Sequence, residues 1–241
     1  MTTGNARIKI VGIGGCGVNT VNRIVENAPR GVETIAINTD SHSLAGITAD
    51  TKLLIGRALT RGLGAGGDPD TGQRAAEENA SEIRDALLGV DTVIIIAGLG
   101  GGTGTGAAPV VARIARDLGA FTLGIAYLPF QWEGKRRISQ AESGAIVLEA
   151  AVDKLVTRPN DALLSRNNST ASIADVFNQA DQLISEGVQR LIQARTTGSD
   201  DAEIEKILSD YKLILDTPSI PTNSAAPKHG LRKGLLSKLI K

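Results

Sequence analysis

Residues 91–98, DTVIIIAG, form an unbroken apolar run that leads directly into a glycine tract, Gly98-Leu99-Gly100-Gly101-Gly102-Thr103-Gly104-Thr105-Gly106. The run has the length of a strand, and its lack of alternation calls for cover on both faces, as in a parallel sheet between helices. The tract holds six glycines in nine positions. Ordering so flexible a backbone costs entropy, which argues against a purely structural turn. Such a loop can turn successive N–H groups inward around an anion, with threonine hydroxyls as further donors. It is not a Walker A loop, because the lysine of that motif is absent.

Two other glycine clusters repeat the theme. Gly12-Ile13-Gly14-Gly15-Cys16-Gly17 fits G-x-G-x-x-G between a predicted strand over 6–13 and a helix over 17–27. By itself this motif leaves open a nucleotide site, a dinucleotide oxidoreductase or a tight turn with no ligand. The third cluster, RGLGAGGDP at 61–69, follows a short strand over 51–56. Three phosphate-facing loops suit a triphosphate better than a pyrophosphate. Further strands are predicted at 32–38 and 121–128, with helices at 71–88, 107–118, 134–156, 170–195 and around 201–211. Strands alternating with helices predict an α/β fold with a doubly wound, mostly parallel sheet. With six aromatic residues in 241, the core must be built from Ala, Val, Ile and Leu.

Several chemistries lack their residues. Cys16 is the one cysteine, so no intramolecular disulfide can form and a reducing compartment is expected. His42 and His229 are the two histidines, too few for a metal cluster or a Cys/His dyad. No run approaches the ~18–20 apolar residues of a bilayer span. The opening MTTGNARIKI reaches charged residues too early for a signal peptide. A cytoplasmic chain is expected.

GGGTGTG (100–106) resembles the tubulin/FtsZ signature, and the likeness extends well beyond it. It takes in IVGIGGCGVN (10–19), AINTD (36–40), GLGAGGDP (62–69), AGLGGGTGTGAAPVVA (97–112), PFQWEGKRR (129–137) and PND (159–161), and spans roughly residues 6–195. The resemblance implies a Rossmann-like GTPase domain that binds GTP or GDP with Mg2+ held through the phosphates rather than by protein ligands. It implies that Gly14, Gly15 and Asn19 hold the nucleotide, and that Gly101, Gly102, Thr103, Gly104 and Thr105 wrap the phosphates. Ala65, Gly66 and Gly67 would approach the γ-phosphate. Glu133 would contact the ribose, and Arg137 a phosphate or the base. On a central helix, Phe177 would pack on guanine and Asp181 would accept from its N1–H and 2-amino group.

The chain also departs from the family pattern. The family's catalytic loop carries N-x-D-x-x-D, whose acids reach the nucleotide of a neighbouring subunit. Here the region reads Thr197-Gly198-Ser199-Asp200-Asp201-Ala202-Glu203. The asparagine is lost, while Asp200 and Glu203 keep a D-x-x-E spacing, as in the α-tubulin variant. They would orient a water for hydrolysis in trans, or else merely favour a helix N-terminus. The expected organisation is a GTP-binding domain with its central helix over 1–196, then a catalytic-loop-like segment with a short helix and strand over 197–216. A proline-containing linker over 217–227 and a basic segment over 228–241 complete it. A second C-terminal domain like that of FtsZ and tubulin is not expected.

On a helical wheel, Leu231, Leu235, Leu236, Leu239 and Ile240 form an apolar face, interrupted by Arg232. Lys233, Lys238 and Lys241 lie opposite. This pattern predicts a basic amphipathic helix that binds an anionic membrane surface, with a partner protein or plain solvation as alternatives. The zero net charge of the chain conceals the asymmetry. Residues 1–227 hold 21 basic and 26 acidic side chains, net −5, whereas 228–241 hold five basic and no acidic ones. The expected partners are further copies of the chain and an anionic membrane, with no nucleic acid. The expected location is cytoplasmic, on the inner face of the cell membrane.

Overall fold

The structure, a computed structural model, describes residues 7–25 and 31–164 and positions 182, 186–190, 193, 194, 197, 206, 207 and 209. Its frame is a six-stranded sheet in the order β3-β2-β1-β4-β5-β6. The strands are β1 (Ile8–Ile13), β2 (Val32–Asn38), β3 (Thr51–Leu54), β4 (Thr92–Gly98), β5 (Phe121–Leu128) and β6 (Lys154–Pro159). Every pairing is parallel. The chain starts in the middle, builds outward through β2 and β3, then returns to β4 on the other side of β1. The strand order therefore reverses between β1 and β4, where open α/β sheets place their ligands, at the carboxyl ends.

The absence of alternation in the strands reflects cover on both faces. Val11, Ile13, Val93, Ile95 and Ala97 enter one apolar cluster, while Ile8, Ile10, Ile94 and Ile96 enter another. Helices α4 (Pro69–Glu78), α5 (Ala80–Leu87), α6 (Thr103–Asp117) and α7 (Lys135–Ala151) contribute to the first cluster. Helix α1 (Gly14–Val25) closes the second, joined by Val188 and Ile207. The described positions from 182 to 197 are helical, within or just past the predicted central helix, as are 206, 207 and 209.

Three predicted elements differ in extent. The helix predicted over 71–88 is divided at Asn79 into α4 and α5. Asn79 leaves the helical region (φ −106°, ψ 26°) because its Oδ1 accepts the Gly56 N–H at 2.7 Å. The helix predicted over 134–156 stops at Ala151, and β6 follows. Asp153 ends it by accepting the Thr122 N–H at 2.8 Å and the Thr122 hydroxyl at 2.9 Å, which docks the next segment alongside β5. At the opposite side of the sheet, Asp50 accepts the N–H and hydroxyl of Thr34 at 2.8 and 2.7 Å and so seats β3 beside β2. The signature-loop helix begins earlier than the predicted 107–118, at Thr103. Short helices α2 (Ser41–Ala45), α3 (Arg57–Thr60) and α8 (Asn160–Leu164) have no counterpart among the predicted elements.

Candidate functional site

A cavity of about 220 Å³ opens at the carboxyl ends of β1 and β4, at the reversal of strand order. Ile13 pairs with Ala97, so both strands end level and release their glycine loops side by side. β1 passes into α1 with no intervening loop, through Gly14 at φ +71°. Its N-terminus and that of α6 meet: a Cβ on Gly14 would stand 2.8 Å from the Gly104 nitrogen.

The glycines divide into two classes. Those at 12, 17, 98, 104 and 106 allow close approach. A Cβ on Gly17 would run into the Ile96 carbonyl, one on Gly104 into the Gly98 carbonyl, and one on Gly98 into Cys16. Gly15, Gly101, Gly66 and Gly67 face open space, with nothing within 4 Å of an added Cβ. Gly15 and Gly101 line the cavity. These open positions leave bare backbone where a ligand can come within hydrogen-bond distance.

The electrostatics favour an anion. α4 is capped by its own Asp68, which accepts from the N–H groups of Asp70 and Thr71, whereas α6 has no capping side chain on its first turn. The free N–H groups of α6 and the positive end of its dipole point at the cavity. Asp68 is held below the usual carboxylate range chiefly by the Thr71 hydroxyl bond, and the charge of Arg136 adds to this.

The threonines of the signature loop build its shape. Thr103 Oγ1 lies 2.6 Å from Thr39 Oγ1, tying the loop to the end of β2. Thr105 Oγ1 accepts the Gly100 N–H at 2.9 Å, and its methyl group lies where Gly144 has no side chain. Thr103 also lines the cavity, while Thr105 is buried beneath it.

Glu133 and Arg137 lie on the opposite wall. Glu133 Oε1 accepts the Phe130 N–H at 2.8 Å and Oε2 lies 3.1 Å from Arg137 Nη1, so the acid holds the guanidinium in place. The 3₁₀ turn Gln131–Glu133 carries Trp132, 61% exposed and stacked on Phe130 at 4.2 Å. Asn160 lies on the same cavity wall, 8% exposed, and its Oδ1 has no hydrogen-bond partner. A buried orphan acceptor is costly, and a ligand with N–H or O–H donors would satisfy it.

A Rossmann-like parallel sheet with this signature loop over its switch point matches one family. The GTPase-domain model of the Tubulin/FtsZ family matches residues 7–168. The chain belongs to that family. Among solved structures, it resembles an empty FtsZ dimer from M. jannaschii at 44% identity and TM-score 0.75, over 81% of this chain and 57% of that one. It also resembles the GDP-bound CetZ1 monomer of Haloferax volcanii, at 27% identity and TM-score 0.70, over 82% and 62% of the two chains. The fold is shared with the GTPγS-bound CetZ2 protofilament of the same organism, at 24% identity and TM-score 0.73, over 83% and 62%. The chain thus spans less than two thirds of the length of each.

Of the residues singled out in this Tubulin/FtsZ domain, Gly14, Gly15, Gly101, Gly102, Thr103, Gly104, Glu133 and Arg137 line the cavity together. Ala65 borders it: a Cβ on Gly102 would lie 2.8 Å from the Ala65 Cβ. Asn19 is exposed on α1, past its first turn. Phe177, Asp181, Asp200 and Glu203 lie outside the described residues, as do the linker and the membrane-binding candidates Leu231, Arg232, Lys233, Leu235, Leu236, Lys238, Leu239 and Ile240. Cys16, Leu99, Tyr127, Pro129 and Asn160 are lining residues that were not singled out as ligands. All but Tyr127 fall inside the quoted motifs: Cys16 within 10–19, Leu99 within 97–112, Pro129 within 129–137 and Asn160 within 159–161.

Proposed function

We propose that this chain binds GTP and GDP at the β1/β4 cavity and assembles head to tail into filaments. The observation that carries the reading is the convergence of the uncapped α6 N-terminus, the open glycines 15 and 101 and the orphan Asn160 oxygen on one cavity. Helix N-termini and bare glycine backbone suit phosphates, Arg137 adds a cation, and Asn160 Oδ1 offers an acceptor to nucleoside donors. Among the described residues no three His, Cys, Asp or Glu side chains gather as metal ligands. Magnesium is assigned to the phosphate oxygens, as the family resemblance implies, where it would neutralise developing charge during phosphoryl transfer.

Hydrolysis is assigned to the contact between copies, with Asp200 and Glu203 of one copy orienting water against the γ-phosphate held by the next. The M. jannaschii FtsZ structure that the chain resembles is a dimer, which supports self-assembly. Among the described residues no helix is long and apolar enough to cross a membrane. Membrane attachment is assigned to residues 228–241 as a surface-bound amphipathic helix. One copy would bind weakly and a filament would bind by avidity.

Nucleotide binding is tested by titrating purified protein with GTP, GDP and NAD. Preference for NAD, or no binding of guanine nucleotide, sinks the reading. Phosphate release that rises faster than linearly with protein concentration is the expected sign of catalysis in trans. Release that stays at background while GTP binds would favour a second reading, a nucleotide-dependent membrane scaffold. The missing asparagine of the 197–203 loop is the observation on that side. Anionic liposomes should pellet the full chain and not a chain ending at Ala226, with equal pelleting of both removing the membrane assignment.

A further inference from the structure

Gln140, on the second turn of α7, reaches across to two of the three phosphate-facing loops, 61–69 and 98–106. Its Nε2 lies 3.0 Å from the Gly67 carbonyl oxygen, 3.1 Å from that of Gly100 and 3.2 Å from that of Gly101. One primary amide has two hydrogens, so three carbonyls share them. The Ala65 and Asp68 ends of the 61–69 loop pack on the signature loop, where a Cβ on Gly102 would lie 2.8 Å from each, so the part that needs a further tie is Gly66–Gly67. Gly100 is pressed against α7, where a Cβ would come within 2.8 Å of the Arg137 carbonyl oxygen. Gly66 and Gly67 have φ of +61° and +76° and open space around them. A hydrogen bond from Gln140 ties this loop to α7 at Gly67.

We infer that Gln140 is a positioning residue that clasps the 65–67 loop to the signature loop and thereby sets the preference for a nucleoside triphosphate over a diphosphate. The inference rests on the proposed nucleotide site and goes beyond it. In that site, as the family resemblance implies, Gly101 and its neighbours would wrap the phosphates common to both nucleotides, while Ala65, Gly66 and Gly67 would approach the third. Holding Gly67 at a set distance from Gly100 and Gly101 pre-organises the contacts that only a triphosphate can use. Losing the clasp leaves the loop to be ordered by the ligand, which costs triphosphate affinity and leaves diphosphate affinity nearly unchanged.

The test is Gln140→Leu in the full chain, which keeps the volume and removes the donor, with Gln140→Glu as a second donor-less variant. Triphosphate affinity is expected to fall roughly three- to tenfold, the weight of one or two neutral hydrogen bonds. Diphosphate affinity should stay within about twofold, because the signature loop, although it also loses Gln140, keeps the Gly100 N–H bond to Thr105 Oγ1 and its packing on α7. In nucleotide-free protein, amide hydrogen exchange in peptides covering 62–68 should speed up in both variants, with exchange in β4 unaltered. Equal losses for both nucleotides, an unaltered affinity ratio, or unaltered exchange at 62–68 would overturn the clasp while leaving the nucleotide site standing. Failure of the wild-type chain to bind either nucleotide would overturn the site and the clasp together.

Discussion

Gly14 and Gly104 touch at backbone level: a side-chain carbon on Gly14 would lie 2.8 Å from the Gly104 amide nitrogen. This contact brings two helix N-termini to one point and lets two distant glycine loops act as one anion site. It also separates glycines that serve packing from those that serve a ligand. Gly104→Ala would drive a methyl group into the Gly98 carbonyl, and overpacking of this kind costs about 1–3 kcal/mol. Gly15→Ala meets nothing within 4 Å and lies in the first turn of α1. Its melting temperature should equal or exceed that of wild type, since alanine is favoured over glycine in helices by up to ~1 kcal/mol. Its nucleotide affinity should nevertheless drop at least tenfold. Thermal melts paired with nucleotide titrations check both variants.

Asn160 gives a second separation of stability from binding. Its buried Oδ1 has no partner, so Asn160→Leu removes an acceptor whose burial already carries a penalty of about 1–3 kcal/mol. The nucleotide-free variant should lose no more than ~1 kcal/mol of unfolding free energy relative to wild type. The stabilisation conferred by added GTP should shrink, because it scales with the logarithm of ligand over dissociation constant. A variant with lowered intrinsic stability and undiminished response to GTP would show that Asn160 acts in packing alone.

The Thr34–Asp50 clasp predicts an acid-sensitive contribution to stability. Hydrogen bonds from the Thr34 hydroxyl and then its N–H hold the Asp50 carboxyl below its ordinary value. A depressed folded-state pKa means stability present in full above the unfolded value near pH 4 and lost as pH falls through the lower folded value. Asp50→Ala should cost about 1 kcal/mol at neutral pH, discounted because the residue is exposed. The difference from wild type should shrink as pH falls from the unfolded value through the lower folded one. Denaturant titrations across pH 2–7 measure it.

Trp132 is the one tryptophan of the chain and sits stacked on Phe130, next to the Glu133 carboxylate that holds Arg137. Nucleotide that engages Glu133 and Arg137 should change its emission on binding. Arg137→Ala should abolish most of that change and weaken affinity several-fold. Its stability should alter by less than ~1 kcal/mol, because the ion pair is half exposed and worth little by itself. An unchanged fluorescence response in this variant would remove Arg137 from the ligand set.

Much of this architecture is legible in the sequence because its signals are local. The unalternating run 91–98, the glycine tract after it and the strand–helix alternation specify parallel strands covered on both faces, with phosphate-type loops at their ends. What only the tertiary structure decided depends on partners far away in the chain. The Asp153–Thr122 clasp turned the end of a predicted helix into β6, and the bond from Gly56 to Asn79 broke another helix in two. The same holds in the site, where one glycine-rich tract contains both the closely packed Gly98 and Gly104 and the open Gly101. Nothing in their spacing distinguishes them, because a glycine's role depends on what lies opposite its missing side chain. Gln140 has no sequence signature at all: its three carbonyl partners belong to two loops that meet only when the sheet brings β1, β4 and the α4 N-terminus together. Sequence carries the periodicities of single segments, whereas hydrogen bonds and close contacts between segments exist only after folding.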